Sequence, residues 1–212
     1  MNLRQTYNKI AEDWFKDHHT DSWWQEGTQK FLDALPQGST ILDLGCGAGV
    51  KSRYLTDKGY KVTGLDFSEN LIAIAKRENS ASELASDLRP NFEIFDIYEL
   101  EKYPKTFDAV FAQASLLHIP KNKIREVLEK IKDKINPGGL LYIAVKGMRD
   151  DGIEEAIRKE NDYGYEYERF FSFFDMPELE NYLNDLGMEI VWKSSTISGR
   201  ADWLQIVGRK ID

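Results

Sequence analysis

The chain has 212 residues, 42% hydrophobic and 30% charged, with 36 acidic against 28 basic side chains and a formal net charge of -8. That length predicts one domain, with a core large enough to need no disulfide or metal staple. The acidic balance argues against nucleic acid, whose phosphates demand basic surface, and against anionic membranes. Cys46, the single cysteine, cannot pair within the chain, which fits a reducing, cytoplasmic setting. The first fifteen residues show no signal-peptide h-region. No apolar run approaches the roughly 18 residues that span a bilayer.

Residues 1–30 form a polar, Trp-containing segment, expected to be helical around Tyr7 to Phe15. Residues 39–44 read as a buried strand, followed at once by Gly45-Cys46-Gly47-Ala48-Gly49. A helix pattern starts at Val50 and closes at Gly59. Residues 60–66 form a second strand, and Ser68 is placed to N-cap a helix carrying Leu71, Ile72 and Ala75. Residues 91–95 and 107–114 make a third and a fourth strand. Between 122 and 134, Ile124, Val127, Leu128 and Ile131 fall at helical spacing. Asn136-Pro137-Gly138-Gly139 stops that helix, and residues 140–145 form a fifth strand. An acidic, aromatic-rich insertion follows at 147–175, then a helix with Leu179, Tyr182, Leu183 and Leu186. Two final strands, 189–196 and 203–209, are close enough in sequence for an antiparallel hairpin. Strands alternating with helices predict parallel βαβ crossovers in one sheet.

The glycine run is the most informative segment. A glycine-rich turn between strand and helix lets a ligand approach the backbone and aims helix N-terminal amides at it. Val50 stands where a dinucleotide fingerprint wants its third glycine or alanine, and Asp43 would repel phosphate. A sulfonium-bearing amino acid suits that polarity better. Asp66, at the end of the second strand, is placed to accept hydrogen bonds from ribose hydroxyls. Asp96 ends the third strand, where it can accept from an exocyclic amine while Ile97 packs on a base.

The runs LDLGCGAG, GLDFSENLIAIAK, FEIFDI, FDAVFAQASLLHIP and NPGGLL together resemble the class I S-adenosylmethionine-dependent methyltransferases of the small single-domain type, in order and spacing over residues 37–146. The resemblance implies an α/β, Rossmann-like seven-stranded sheet, mostly parallel with an antiparallel last strand and helices on both faces. It implies that Asp43, Gly45, Cys46 (through its backbone), Gly47 and Gly49 contact the methionine part and sulfonium side of S-adenosylmethionine. It likewise assigns Asp66 to the ribose, Phe67, Asp96 and Ile97 to the adenine, and Gln113 and Ala114 to the floor beneath the methyl group. Residues 1–30 resemble a lid, whose stretch YNKIAEDW holds Tyr7 and Trp14 and sets Tyr7 over the amino-acid end, and residues 147–175 are read as an acceptor-side cap.

Transfer from a sulfonium needs alignment and exclusion of water, and a base only where the acceptor must lose a proton. His118 is the histidine nearest the predicted site, read as a candidate base or acceptor-positioning group. Seven aromatic side chains crowd residues 163–174, and Tyr165 and Phe171 among them, with Arg200 in the terminal hairpin, are candidate acceptor contacts. The acids of the insertion favour a neutral or cationic small-molecule acceptor. No Cys/His cluster has metal-ligand spacing, and His18-His19 reads as solvated surface. S-adenosylmethionine, released as S-adenosylhomocysteine, is the expected cofactor; oligomeric state stays open. Two rival readings remain: an NAD(P)-dependent oxidoreductase on a similar sheet, and a non-catalytic S-adenosylmethionine-binding module.

Overall fold

The computed structural model describes residues 2–80, 89–148, 151–198 and 201–211. In chain order the elements are α1 (Leu3–His18), α2 (Gln25–Asp33), β1 (Thr40–Leu44), α3 (Val50–Asp57), β2 (Lys61–Asp66), α4 (Glu69–Ser80) and β3 (Asn91–Ile94). There follow β4 (Phe107–Gln113), α5 (Lys121–Asp133), β5 (Ile135–Lys146), β6 (Glu155–Glu160), β7 (Tyr167–Ser172), α6 (Met176–Asp185), β8 (Met188–Ser198) and β9 (Ala201–Lys210). Short 3-10 turns follow β3 and β4.

The large sheet has the order β3-β2-β1-β4-β5-β9-β8. The first five strands are parallel. The last strand in sequence, β9, runs antiparallel to both β5 and β8, between which it is inserted. Both expectations for the sheet hold: seven strands, with the final one reversed. The start of β5 differs from the reading at residue 140. Ile135 already pairs with Phe107, and the register then jumps so that Ala109 faces Leu140. Asn136 to Gly139 therefore bulge out of a longer strand.

Period-two alternation in the central strands divides the core. Leu42, Val110, Ala112, Leu141 and Ile143 face α5 and α6, where Ile124, Val127, Leu179 and Leu183 cover them. Ile41, Ala109, Phe111, Leu140 and Tyr142 face the other way, against Phe31 and Leu32 of α2 and Leu55 of α3. Both faces are thus buried, as parallel strands require. Because β2 and β4 leave β1 in opposite directions, the ends of β1 and β4 open a crevice, the position where such sheets bind ligands.

Two segments lie across that crevice. Asn2 caps α1 through its side chain, and α1 packs along α4 through Tyr7, Ile10 and Ala11 against Leu71 and Ile74. The insertion forms a separate two-stranded hairpin of β6 and β7. Its backbone is tied to α1, because Thr6 donates its hydroxyl to the Glu168 carbonyl at 3.0 Å and Lys9 donates to the Glu166 carbonyl at 2.8 Å. Among the described residues no helix is long and apolar enough to cross a membrane.

The third glycine of the loop has a packing reason. Gly49 starts α3 with φ 79°, and a Cβ there would lie 2.6 Å from the Phe92 ring and 3.0 Å from Ala75. Gly49→Ala is expected to cost about 2–4 kcal/mol, from overpacking and the left-handed backbone together. Urea unfolding should show a lower midpoint at unchanged slope; an unchanged midpoint would contradict this packing.

Candidate active site

Beyond β1 the backbone turns through Gly45 and Gly47 at φ 77° and 54°. Gly45 touches the neighbouring strand end so closely that a Cβ would lie 2.4 Å from that of Ser115. Four amides of this turn are already occupied. Gly45 and Cys46 both donate to the Leu65 carbonyl, at 2.7 and 3.0 Å, and Gly49 donates to the Cys46 carbonyl at 3.0 Å. Gly47 donates to an Asp66 carboxylate oxygen at 3.0 Å, while the other oxygen accepts from the Ser68 amide at 2.8 Å. The end of β2 thus takes three amides of the loop, those of Gly45, Cys46 and Gly47. The loop that faces the crevice is flanked by carboxylates.

Asp43 and Asp66 are both buried, at 3% and 8% exposure. Asp43 accepts the Ser52 hydroxyl at 2.6 Å and so ties β1 to the first turn of α3. Burial pushes each carboxyl up to about 6, against the opposing pull of these hydrogen bonds, and for Asp43 the Asp66 charge adds to the rise. Lys51 on α3 attracts Asp43 but is itself drawn down by burial. Two carboxylates of raised pKa with partly unfilled acceptor capacity suit a ligand that brings hydroxyl donors and positive charge.

These groups line one cavity of about 630 Å³, within the range of small-molecule sites. Of the residues read from the sequence, Tyr7, Asp43, Gly45, Cys46, Gly47, Asp66, Phe67, Asp96, Ile97, Gln113, Ala114 and His118 line it, as does Trp14. Asp96 also accepts the Tyr98 amide at 2.9 Å, which starts the turn that places Ile97 and Tyr98 on the wall. The cavity wall does not include Gly49, which faces α4, or Tyr165, whose hydroxyl donates to Asp13 of α1 at 2.8 Å. Phe171 is buried behind His118, with ring centroids 5.1 Å apart. Arg200 lies outside the described residues.

Some lining residues were not foreseen. Ser115 follows the predicted pair Gln113 and Ala114, and its place at a strand end was signal enough. Phe170 and Ile157 face the cavity from the hairpin; choosing Phe170 over Phe171 requires the hairpin register, which the sequence leaves free. At the end of β4, Ala114 holds a left-handed backbone at φ 55°, a strain that non-glycine residues seldom bear away from functional sites. Beside it, both side-chain polar atoms of Gln113 and the Ser115 hydroxyl are buried with no partner among the described residues. Buried polar atoms without partners are costly, and here they border a cavity where a ligand can supply those partners.

Across the cavity, the Tyr7 hydroxyl lies 2.7 Å from His118 Nε2, and His118 Nδ1 lies 2.7 Å from the Phe170 carbonyl. A carbonyl only accepts, so Nδ1 carries the proton and Tyr7 donates to Nε2. Burial drives the His118 pKa down to about 3, with the Arg169 and Lys146 charges adding to the fall. His118 is therefore neutral with both nitrogens engaged. It is a hinge pin between lid, sheet and hairpin, and it can take a proton only if Tyr7 moves away.

Comparison with known proteins follows this geometry. A family model described as a methyltransferase domain matches residues 17–193. The 2-methyl-6-phytyl-1,4-hydroquinone methyltransferase of Synechocystis is 37% identical over 124 residues, covering 57% of this chain and 36% of that protein. A ubiquinone biosynthesis O-methyltransferase of Pseudomonas paraeruginosa is 28% identical over 162 residues, covering 72% and 66%. The chain thus spans between about a third and two thirds of the length of these curated relatives. In fold it is similar to the Burkholderia thailandensis 1,6-didemethyltoxoflavin-N1-methyltransferase crystallised with 1,6-didemethyltoxoflavin and S-adenosylhomocysteine, with a TM-score of 0.76 at 19% identity over 99% of this chain and 88% of that one. With the family model covering most of its length, the chain belongs to the methyltransferase domain family.

Proposed function

We propose that the chain is an S-adenosylmethionine-dependent methyltransferase acting on a small-molecule acceptor, in a cytoplasmic setting. The observation that carries this reading is the polarity around the glycine loop: two buried carboxylates flank it, and the Gly45, Cys46 and Gly47 amides are taken by the end of β2. A pyrophosphate requires free donors at this place, whereas the Gly45, Cys46 and Gly47 amides are engaged by the end of β2 and two buried carboxylates would repel its charge. A cationic amino-acid end and a ribose diol find what they need.

The residues present fit the cofactor. Asp66 keeps its loop-facing hydrogen bonds and has lone pairs left to accept ribose hydroxyls. Asp96, with Ile97 and Tyr98, forms the adenine end of the cavity. Gln113 and Ser115 offer unpaired polar atoms next to Gly45, where the amino-acid end would lie, and Tyr7 and Trp14 cover that end from α1. When bound, S-adenosylmethionine supplies an electrophilic methyl group.

The protein's own part is alignment and closure. Residues 1–30 act as a lid and 147–175 as a cap, joined to each other by Thr6, Lys9 and the Tyr7–His118 pair. Because His118 is neutral and doubly bonded, it positions the lid against the acceptor side and does not serve as a standing base. The reading covers the acceptor class only as far as a small molecule. The curated relatives bear the names of quinone-pathway methyltransferases, which supports that class.

Isothermal titration tests the assignment. S-adenosylhomocysteine should bind, NADH should not, and Asp66→Ala should weaken S-adenosylhomocysteine at least tenfold; NADH binding instead, or unaltered affinity in the variant, would overturn it.

The pH dependence has a defined sign. Asp66 must be ionised to accept both ribose hydroxyls, and its pKa is about 6. Affinity for S-adenosylhomocysteine should be flat above pH 7 and fall about tenfold per unit below pH 6. A profile level down to pH 4.5 would contradict that role.

A further inference from the structure

The two faces of the β6–β7 hairpin carry opposite electrostatics. Most of the insertion's acids (Asp151, Glu154, Glu155, Asp162 and Glu166) are exposed to solvent. On one face Lys159 stands opposite Glu168, an ordinary cross-strand ion pair. On the other, Arg158 stands directly opposite Arg169, a like-charged pair that destabilises a hairpin unless something compensates it. Both guanidiniums lie beside the buried Phe171 ring, at 5.8 and 5.1 Å from its centroid, and the Lys146 ammonium lies 4.2 Å from the same centroid.

Three cations therefore surround one phenyl ring. The nearby anion is Glu160, and both of its oxygens are taken by Arg169 at 2.6 Å. Among the described residues, neither Lys146 nor Arg158 forms an ion pair. Phe171 gives each cation some cation–π attraction, but a neutral ring cannot balance their mutual repulsion. Burial, together with Arg169 and Arg158, draws the Lys146 ammonium down to about 8, the response of a cation lacking an anion.

The place of this cluster gives it meaning. Lys146 ends β5, two residues beyond Ala144, which pairs with Gln113 at the cavity floor. Phe171 packs on His118, and Arg169 reaches the Tyr7 hydroxyl. On the outer side, Lys146 lies 5.8 Å from the centroid of Trp203, which stacks on Trp23 at 4.1 Å, both half-buried. Positive charge, flat apolar walls and the strand ends beneath the candidate methyl position thus adjoin one another.

We propose that Lys146 and Arg158 bind the carboxylate of a small aromatic acid beside the Phe171 ring. The proposal goes beyond the methyltransferase reading, because this cluster lies behind His118 and off the wall of the cofactor cavity. It adds to the reading of the insertion's acidic composition: most of the acids face water, while Arg158 and Arg169 turn toward Phe171. A carboxylate between Lys146 and Arg158 gains charge-assisted hydrogen bonds from both and removes the repulsion that the unliganded protein carries. The aromatic body rests against Trp203, on the Arg158 and Phe171 side of the hairpin; Phe170 and the cavity lie on the opposite face.

Benzoate and benzamide, equal in shape and different in charge, are the probes. Each is titrated calorimetrically into the protein, both saturated with S-adenosylhomocysteine and free of it. Benzoate should bind at least tenfold more tightly than benzamide. The double variant Lys146→Met, Arg158→Met should lose at least tenfold of the benzoate affinity without changing that for S-adenosylhomocysteine, and Lys146→Arg should keep most of it. Benzoate binding no tighter than benzamide, or equally tight in the double variant, would overturn the proposal. The wild-type comparison needs no variant to fold. Failure of S-adenosylhomocysteine to bind would count against the cofactor assignment alone, since the clamp is still tested by benzoate on the free protein.

Discussion

The carboxylate of Asp66 holds the site together. One oxygen fixes Gly47 in the loop after β1, and the other fixes Ser68 at the start of α4. Ser68 in turn donates to Asn8 on α1 at 2.6 Å, and Asn8 also bonds Asn70. A single buried acid thus sets the loop, the helix behind it and the lid above it. The cost is electrostatic. Asp43 and Asp66 each ionise about two units above the usual carboxylate range, on the order of 3 kcal/mol apiece. Raised folded-state pKa values mean that their contribution to stability is full below about pH 4 and is lost as pH rises through about 6. At neutral pH the unliganded protein carries two disfavoured charges, which a cation and two hydroxyls would relieve. Stability is given up at the place where binding is needed.

The same logic applies around the rest of the cavity. Ala114 holds a left-handed backbone, Gln113 and Ser115 leave polar atoms unpaired, and Arg158 confronts Arg169. Each is unfavourable locally, and each borders the space between the sheet and its two covering segments. The ordinary core shows no such concentration of strain, since the strand faces pack on α2, α3, α5 and α6 in regular alternation.

Much of this was legible in the sequence, because it depends on local pattern. The strand runs, the glycine turn, Ser68 as a cap and Asp66 at a strand end follow from period, turn chemistry and position. The parallel strands and the reversed last strand follow from crossover rules and a short terminal connection. Other features are not local. That Gly49 serves Phe92 and not a ligand depends on how α3 and α4 pack. That the Gly45, Cys46 and Gly47 amides are occupied depends on where β2 ends beside them. Which face of the β6–β7 hairpin turns inward is a matter of register, so Phe170 reaches the cavity where Phe171 was expected. A composition rich in acid likewise conceals the basic cluster on the opposite, Phe171 face, since composition does not record direction.

The central claim is that the loop, the two carboxylates and the unpaired atoms at the end of β4 form one cofactor site. A crystal structure of the protein with S-adenosylhomocysteine tests it most directly. The account predicts ribose hydroxyls on Asp66, adenine against Ile97 and Tyr98, and the amino-acid end beside Gly45, satisfying Gln113 or Ser115 beneath Tyr7. Ligand density elsewhere, or at the cavity with Asp66 and Gln113 untouched, would contradict it.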